Sequence, residues 1–249
     1  TSLRAMVEAQ ALDAVALEYI GRHRIALMAT LRQSFFAAAP NPQREVETLI
    51  RRLKERGLIR AVERAIPPYS VYVLSEKGAV FAGLPVSMAV PLRAGAPELR
   101  DLYRQLSVLW FCAFGDAERV VLNPKAVETL VGGAARAAQL VHVAEVSAKR
   151  QASVLLRAYV VGEATPVESA LATMKKRCES LVGSQLEGPA RKGRYVIQAL
   201  CHRQSKTDEL SARMGHEHRW SRVATSVGVE NLVEAHRMLE AREQAGGTQ

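Results

Sequence analysis

The sequence predicts an α+β protein built from two regions. Apolar residues recur at helical spacing through residues 7–57, and two alternating segments typical of paired strands follow. After a stretch rich in proline and glycine, helical and strand patterns alternate again. A length of 249 residues suits one large domain or two small ones. We therefore predict an N-terminal domain over residues 1–84, a linker over 85–97 and an α+β domain over 98–245.

The composition is that of a folded protein with excess positive charge. Hydrophobic residues make up 48% of the chain and charged residues 24%, which excludes wholesale disorder. No run of about 18 apolar residues exists, so we expect no contact with a membrane. An N-terminus without an apolar segment and an odd count of 3 cysteines predict a cytoplasmic protein. The net charge of +9 indicates a polyanionic partner.

Three helices are predicted in the first region. The first covers residues 7–21 and is expected to end at Gly21, and the second covers residues 25–39. The third begins at Asn41, whose side chain suits an N-cap, followed by proline at the first helical position, and it ends at Gly57. Its apolar residues share one face, which predicts the core stripe Val46, Leu49, Ile50 and Leu53.

A strand pair follows the third helix. Residues 58–62 and 69–74 have the pattern of strands, and the Pro67-Pro68 pair between them predicts a turn. Three helices followed by a two-stranded hairpin is the element order of a winged helix-turn-helix domain. Residues 53–59 (LKERGLI) and 72–78 (YVLSEKG) resemble the passage from recognition helix to wing in that superfamily. The resemblance implies that one helix enters the major groove of DNA.

The outer face of the third helix predicts the DNA contacts. Residues 41–64 hold seven basic residues against four acidic ones, a net charge of +3. Winged helices also serve as protein-binding modules, so a solvated basic face for protein contacts is the alternative. We predict that side chains on this face bind double-stranded DNA: Gln43, Arg44, Thr48, Arg51 and Arg52. Two further side chains at the wing are predicted to lie near phosphates: Arg60 and Arg64.

The second region is predicted to alternate between helices and strands. Residues 101–114 form a strongly apolar helix, and residues 140–146 and 153–161 form a hairpin. Thr165 and Glu168 have the spacing of a capping box for a long helix that ends near residue 186. The remaining predicted elements are a strand over 120–122, a helix over 124–130, a strand over 194–202 and helices over 206–214 and 231–241.

The order of these features gives a second resemblance. The chain resembles the replication-relaxation proteins of plasmids and other mobile elements in the order of its parts. These are a winged helix, residues 106–112 (LSVLWFC), a hairpin, a long basic helix and a strand ending near Lys206. A related group is the winged-helix mobilisation relaxases, whose second domain resembles a restriction-endonuclease core. The resemblance implies a nuclease-like second domain and a role in a mobile element.

Catalysis is not predicted. A nuclease core needs two carboxylates for Mg²⁺ and a nearby lysine. The nearest set, Asp116, Glu145 and Lys149, has the wrong spacing, and no lysine follows Glu163 as required either. We therefore predict a degenerate core with no catalytic residue.

No metal site or cofactor is predicted either. The residues Cys201-His202, His216 and His218 do not have the paired spacing of a zinc site. We instead expect Cys178 and Cys201 to be buried as small apolar groups.

A second basic zone lies in residues 191–222, with a net charge of +5, and Lys175, Lys176 and Arg177 add charge before it. It is predicted to be either a second phosphate-contacting surface, with Trp220 as a stacking ring, or a solvated face.

The sequence therefore predicts a sequence-specific double-stranded DNA-binding protein. It would act as a transcriptional regulator or as a replication or transfer accessory factor. The alternatives are a metal-dependent DNA nickase or relaxase and a protein-binding adaptor. A homodimer is expected because a lone winged helix reads a short half-site, and residues 102–114 or 231–241 are the candidate interface helices.

Overall fold

A computed structural model of the chain describes residues 3–66, 69–89, 99–114, 117–122, 124–131, 142–147, 152–216 and 227–231. These residues form two compact units, one that ends at Phe114 and one that begins after it. Both units contain helices and strands, which confirms the α+β class. No helix in the described part of the chain is long and apolar enough to cross a membrane.

The first unit consists of helices around a small sheet. Its elements are α1 (Leu3–His23), β1 (Ala26–Leu27), α2 (Met28–Phe36), α3 (Pro42–Glu55), β2 (Ile59–Ile66), β3 (Tyr69–Leu74), α4 (Glu76–Phe81), a 3₁₀ turn (Val86–Met88) and α5 (Leu99–Ala113).

The sheet of the first unit is antiparallel, with the strand order β1-β3-β2. Ala26 lies opposite Tyr72, and Ile59 lies opposite Leu74. The predicted hairpin is confirmed, and β2 is longer than expected because its register shifts between Val62 and Ile66.

Two boundaries predicted for the first helices were wrong. Helix α1 continues past Gly21 and ends at His23, and the next residue, Arg24, has a left-handed backbone with φ of 68°. The second helix does not begin at residue 25, because Ala26 and Leu27 pair with β3 as a short buried strand.

The core of the first unit lies between α1, α2, α3 and the sheet. It includes the fully buried side chains of Leu17, Leu31, Leu49 and Leu74. Helix α5 contacts α1 and α2 and buries an apolar face that includes Phe111. This helix, which the sequence pattern assigned to the second domain, therefore belongs with the first unit.

The second unit is built on one mixed sheet. Its elements are β4 (Glu118–Val121), α6 (Pro124–Val131), β5 (His142–Ser147), β6 (Ala152–Val160), α7 (Val167–Glu179), α8 (Glu187–Arg191), β7 (Tyr195–Cys201), α9 (Gln204–His216) and β8 (Val227–Asn231). The strand order is β4-β5-β6-β7-β8. The first three strands pair antiparallel and β6, β7 and β8 pair parallel, so helices connect the parallel strands.

The bounds of α7 and of β8 in the second unit differ from those that the sequence predicts. The predicted capping box at Thr165 is absent, because Pro166 is the N-cap of α7 and provides no side-chain hydrogen bond. Helix α7 ends at Glu179, and Gly183 follows with φ of 73°. Asn231, predicted to begin a helix, ends strand β8, and residues 232–241 lie outside the described residues.

Candidate nucleic-acid interface

Helix α3 has the capping groups that the sequence predicts. The Asn41 side-chain oxygen accepts a hydrogen bond from the backbone N–H of Arg44 at 3.2 Å. At the other end Gly57 has φ of 67°, its N–H donates to the Lys54 carbonyl, and the next N–H donates to the Leu53 carbonyl, both at 2.9 Å. This is a Schellman motif, and it fixes where α3 ends and β2 begins.

The predicted core stripe of α3 is confirmed, since Val46, Leu49, Ile50 and Leu53 are buried. Residues spaced by four, three and four positions lie on the opposite face of a helix with 3.6 residues per turn. They form an outer row of two exposed arginines, a half-buried threonine and an exposed glutamate: Arg44, Arg51, Thr48 and Glu55. The structure therefore brings three of the predicted DNA contacts together on one surface.

Gln43 lies on the flank of α3 that faces α2. Its amide nitrogen donates to a carboxylate oxygen of Glu47 at 2.6 Å and lies 3.2 Å from the Met28 sulfur. Its amide oxygen accepts from Arg32 at 3.1 Å. Both ends of the amide are thus held, and Gln43 stands beside the outer row with a fixed orientation.

Arg52 lies on the other flank, where it contacts α1. Its Nε and Nη2 donate to the Oδ1 of Asp13 at 2.9 and 2.5 Å, and Arg56 Nη1 donates to Oδ2 at 2.7 Å. The Asp13 side chain is 1% exposed. Arg56 also lies over the ring of Phe81, 4.5 Å from its centroid. Arg52 was predicted to contact DNA, but its guanidinium is occupied in joining α3 to α1.

Asp13 was missed in the sequence, although its position carried a signal. Asp13 precedes Ala16, Leu17 and Ile20 by three, four and seven positions, so it lies on the apolar face of α1. A carboxylate at a core position needs a cationic partner, because burying an unpaired charge is very unfavourable.

A shallow depression of about 300 Å³ lies beside the outer row. It is lined by Met28, Glu47, Ile50, Arg51, Lys54 and Glu55. Two cations and two carboxylates share its rim, so the positive charge of α3 is not uniform along the helix. Because Glu55 is at the C-terminal end, the basic part of the outer row is Arg44 to Arg51.

The two predicted wing residues are both on β2. Arg60 is half-buried and lies opposite Val73. Arg64 lies between Val62 and Ile66, where the register of the hairpin shifts. The side chain of Arg64 and residues 67–68 lie outside the described residues.

The two segments that resembled a recognition-helix-to-wing passage are in contact. The Ser75 hydroxyl donates toward the carbonyls of Gly57 and Leu58, at 2.7 and 2.9 Å, and accepts from the N–H of Gly78 at 2.9 Å. A Cβ on Gly78 would lie 2.0 Å from the Leu58 carbonyl oxygen. Only glycine fits there, and this junction sets the position of the β2–β3 hairpin relative to α3.

The nuclease candidates are not brought together among the described residues. Glu145 on β5 accepts a hydrogen bond from Arg119 at 2.9 Å, and Glu163 forms an ion pair with Arg203. Asp116 and Lys149 lie outside the described residues.

The metal candidates are equally scattered. In the described ranges no three His, Cys, Asp or Glu side chains are arranged to hold a metal ion. Cys178 and Cys201 are buried, as predicted, and burial raises the pKa of the Cys178 thiol to about 11. His202 is buried as well, His216 ends α9, and His218 lies outside the described residues.

Much of the charge in the second basic zone is compensated within the second unit. Arg191 pairs with Glu187 at 2.7 Å, and Arg213 pairs with Glu168 at 2.9 Å. Lys206 donates to the backbone carbonyls of residues 162, 163 and 165. Trp220 lies outside the described residues. The net charge of this segment therefore overstates the number of cations available to a ligand.

Comparisons of the chain with protein-family models, with curated proteins and with solved structures found no match.

Proposed function

We propose that the first unit is a winged helix-turn-helix domain that binds double-stranded DNA with α3 in the major groove. The order helix, short strand, two helices and hairpin supports this, as does the strand order β1-β3-β2. The observation that carries the proposal is the outer row of α3, where Arg44, Thr48 and Arg51 face away from the core.

The spacing of the outer row suits base recognition. Arg44 and Arg51 are seven residues apart, which corresponds to roughly 10 Å along a helix. Since base pairs are spaced by about 3.4 Å, this row spans about three base pairs. Arginine recognises guanine through two hydrogen bonds. The amide of Gln43 would recognise adenine only after DNA displaces its contacts with Arg32 and Glu47. Arg60 and Arg64 on β2 are proposed to contact phosphates, and Arg52 is proposed to support α3 rather than to contact DNA.

The cellular role proposed for this binding is regulation of transcription, or an accessory role in replication or transfer of a mobile element. Three base pairs are too few to specify a site, so two copies of the chain are proposed to bind paired half-sites as a homodimer in the cytoplasm. Helix α5 is one candidate interface helix, but it buries its apolar face against α1 and α2 of the same copy. That face is therefore not proposed as the dimer interface.

The proposal is tested by selecting bound fragments from genomic DNA and measuring affinity for an enriched duplex. Arg51→Ala is expected to weaken binding about tenfold or more, because a bidentate arginine contributes about 1–3 kcal/mol of discrimination. Lys77→Gln is the matched control, since Lys77 is an exposed cation on α4. No enriched sequence, or equal losses in the two variants, would refute specific recognition by α3.

The second unit is proposed to be a degenerate restriction-endonuclease-like core that does not catalyse DNA cleavage. The mixed sheet with helical crossovers supports the core, and the pairing of Glu145 with Arg119 supports the absence of catalysis. Supercoiled plasmid incubated with Mg²⁺ is expected to remain intact. Nicking that Glu145→Ala abolishes would replace this proposal with the nickase alternative.

A further inference from the structure

A cluster of basic and aromatic side chains lies on the α7 face of the second sheet. Arg157 and Tyr159 are two residues apart on β6 and therefore share a face, and Arg157 lies opposite His142 on β5. The Tyr195 hydroxyl from β7 lies 3.2 Å from the Nε2 of His142, and the nearby positive charge of Arg157 acts on it. Arg177 of α7 lies over the Tyr159 ring, 4.3 Å from its centroid.

In the part of the chain that the structure describes, no carboxylate forms an ion pair with Arg157 or Arg177. Burial lowers the pKa of Arg177, and the nearby charge of Arg157 lowers it further. The Nε of Arg157 is buried and makes no hydrogen bond to a described residue. The ring of Tyr159 attracts the guanidinium of Arg177 but does not neutralise it. The two half-buried arginines therefore carry two positive charges that no carboxylate of the described residues balances.

This arrangement differs from that of three other arginines of the second unit. Arg191, Arg203 and Arg213 each have a carboxylate partner, whereas the groups that act on Arg157 and Arg177 are the tyrosines, a cysteine and each other. The exposed Lys175 and Lys176 on the same turn of α7 add to the positive field. Two arginines without a carboxylate partner among the described residues thus lie together on this face of the sheet.

We propose that Arg157 and Arg177 form a binding site for a phosphate group in the second unit. A guanidinium presents paired N–H donors that match phosphate oxygens. Because both arginines are half-buried, the site is open enough for a ligand and dry enough to strengthen its hydrogen bonds. The phosphate belongs either to a nucleic-acid backbone or to a small phosphorylated molecule.

The test titrates inorganic phosphate against the full chain at matched ionic strength. Binding is measured from the linewidth of the ³¹P signal of phosphate. Wild-type protein is expected to bind phosphate saturably. Binding is expected to weaken about tenfold or more in each of the variants Arg157→Gln and Arg177→Gln. Lys176→Gln is the matched control, because it removes one exposed charge from the same helix and is expected to retain binding. Arg177→Lys keeps the charge without the paired donors and is expected to give an intermediate loss.

A short oligothymidylate identifies the source of the phosphate. If it competes with inorganic phosphate, the site binds a nucleic-acid backbone; if it does not, the site binds a small phosphorylated molecule. Absence of saturable phosphate binding, or equal losses for Arg177→Gln and Lys176→Gln, overturns the proposal. Duplex binding through Arg51 is measured separately and is expected to persist in Arg177→Gln, so the two proposals fail independently.

Discussion

The ion-pair cluster at Asp13 makes a quantitative prediction for Asp13→Asn. The amide keeps the shape of the carboxylate, but it loses the charge and presents an N–H₂ group to Arg52 or Arg56. Breaking a fully buried ion pair costs about 3–5 kcal/mol. Arg52 and Arg56 are 31% and 40% exposed, so water recovers part of that loss. We expect a decrease of about 2–3 kcal/mol in the free energy of unfolding, since hydrogen bonds to charged groups contribute about 1.5–3 kcal/mol.

Urea unfolding of the full chain, with hydrogen exchange of α3 amides as a local readout, measures this decrease. For a domain of this size it corresponds to a fall of roughly 10–20 °C in the melting temperature. Glu18→Gln is the control, because it removes an equal charge from α1 at the more exposed Arg22–Glu18 pair, and it is expected to change stability by less than about 1 kcal/mol. The reasoning is refuted if the two variants behave alike.

Three further predictions follow from other contacts of the first unit. Gly78→Ala is expected to lower the melting temperature, because the new Cβ would lie 2.0 Å from the Leu58 carbonyl oxygen. Gly188→Ala is the control, because no atom lies within 4 Å of its new Cβ, and it is expected to leave the melting temperature unchanged or raise it. Equal effects of the two variants would contradict the close approach at Gly78. Burial lowers the pKa of His23 to about 3 from 6.5, so the unfolded chain alone takes up this proton as pH falls from 6.5 towards 3. Stability is therefore lost over that window, with about 2 kcal/mol gone at pH 5, and His23→Phe is expected to show a smaller loss in urea titrations. Arg51→Ala is expected to leave the salt dependence of duplex affinity unchanged, because Arg51 is proposed to bind a base; a slope reduced by about one unit would place it on a phosphate instead.

Helix α3 was predictable because its signals are local. An N-cap asparagine, proline in the first turn, a four-residue apolar stripe and a C-terminal glycine all lie within 17 consecutive residues (41–57) and agree with one another. The same local logic gave β3 and the hairpin of β5 and β6. Strand β1 was not predictable in this way, because its two residues become a strand only by pairing with β3.

The division of the α3 surface depended on contacts distant in sequence. Arg51 and Arg52 are equivalent in composition, yet a 100° step around the helix places one on the outer face and the other against Asp13, 39 residues earlier. The same holds in the second basic zone, because the partners of Arg203 and Arg213 lie 40 and 45 residues before them. Periodicity identifies a face, but it does not identify which charges on neighbouring elements meet it.

A comparison of Arg51→Ala with Arg52→Ala separates DNA recognition by α3 from support of α3. Two quantities are measured for each variant: the ratio of specific to non-specific duplex affinity, and the melting temperature. We predict that Arg51→Ala lowers the affinity ratio about tenfold at an unchanged melting temperature. Arg52→Ala is predicted to lower the melting temperature while the folded fraction keeps the wild-type ratio. The opposite assignment, with Arg52 controlling specificity and Arg51 controlling stability, would contradict the account.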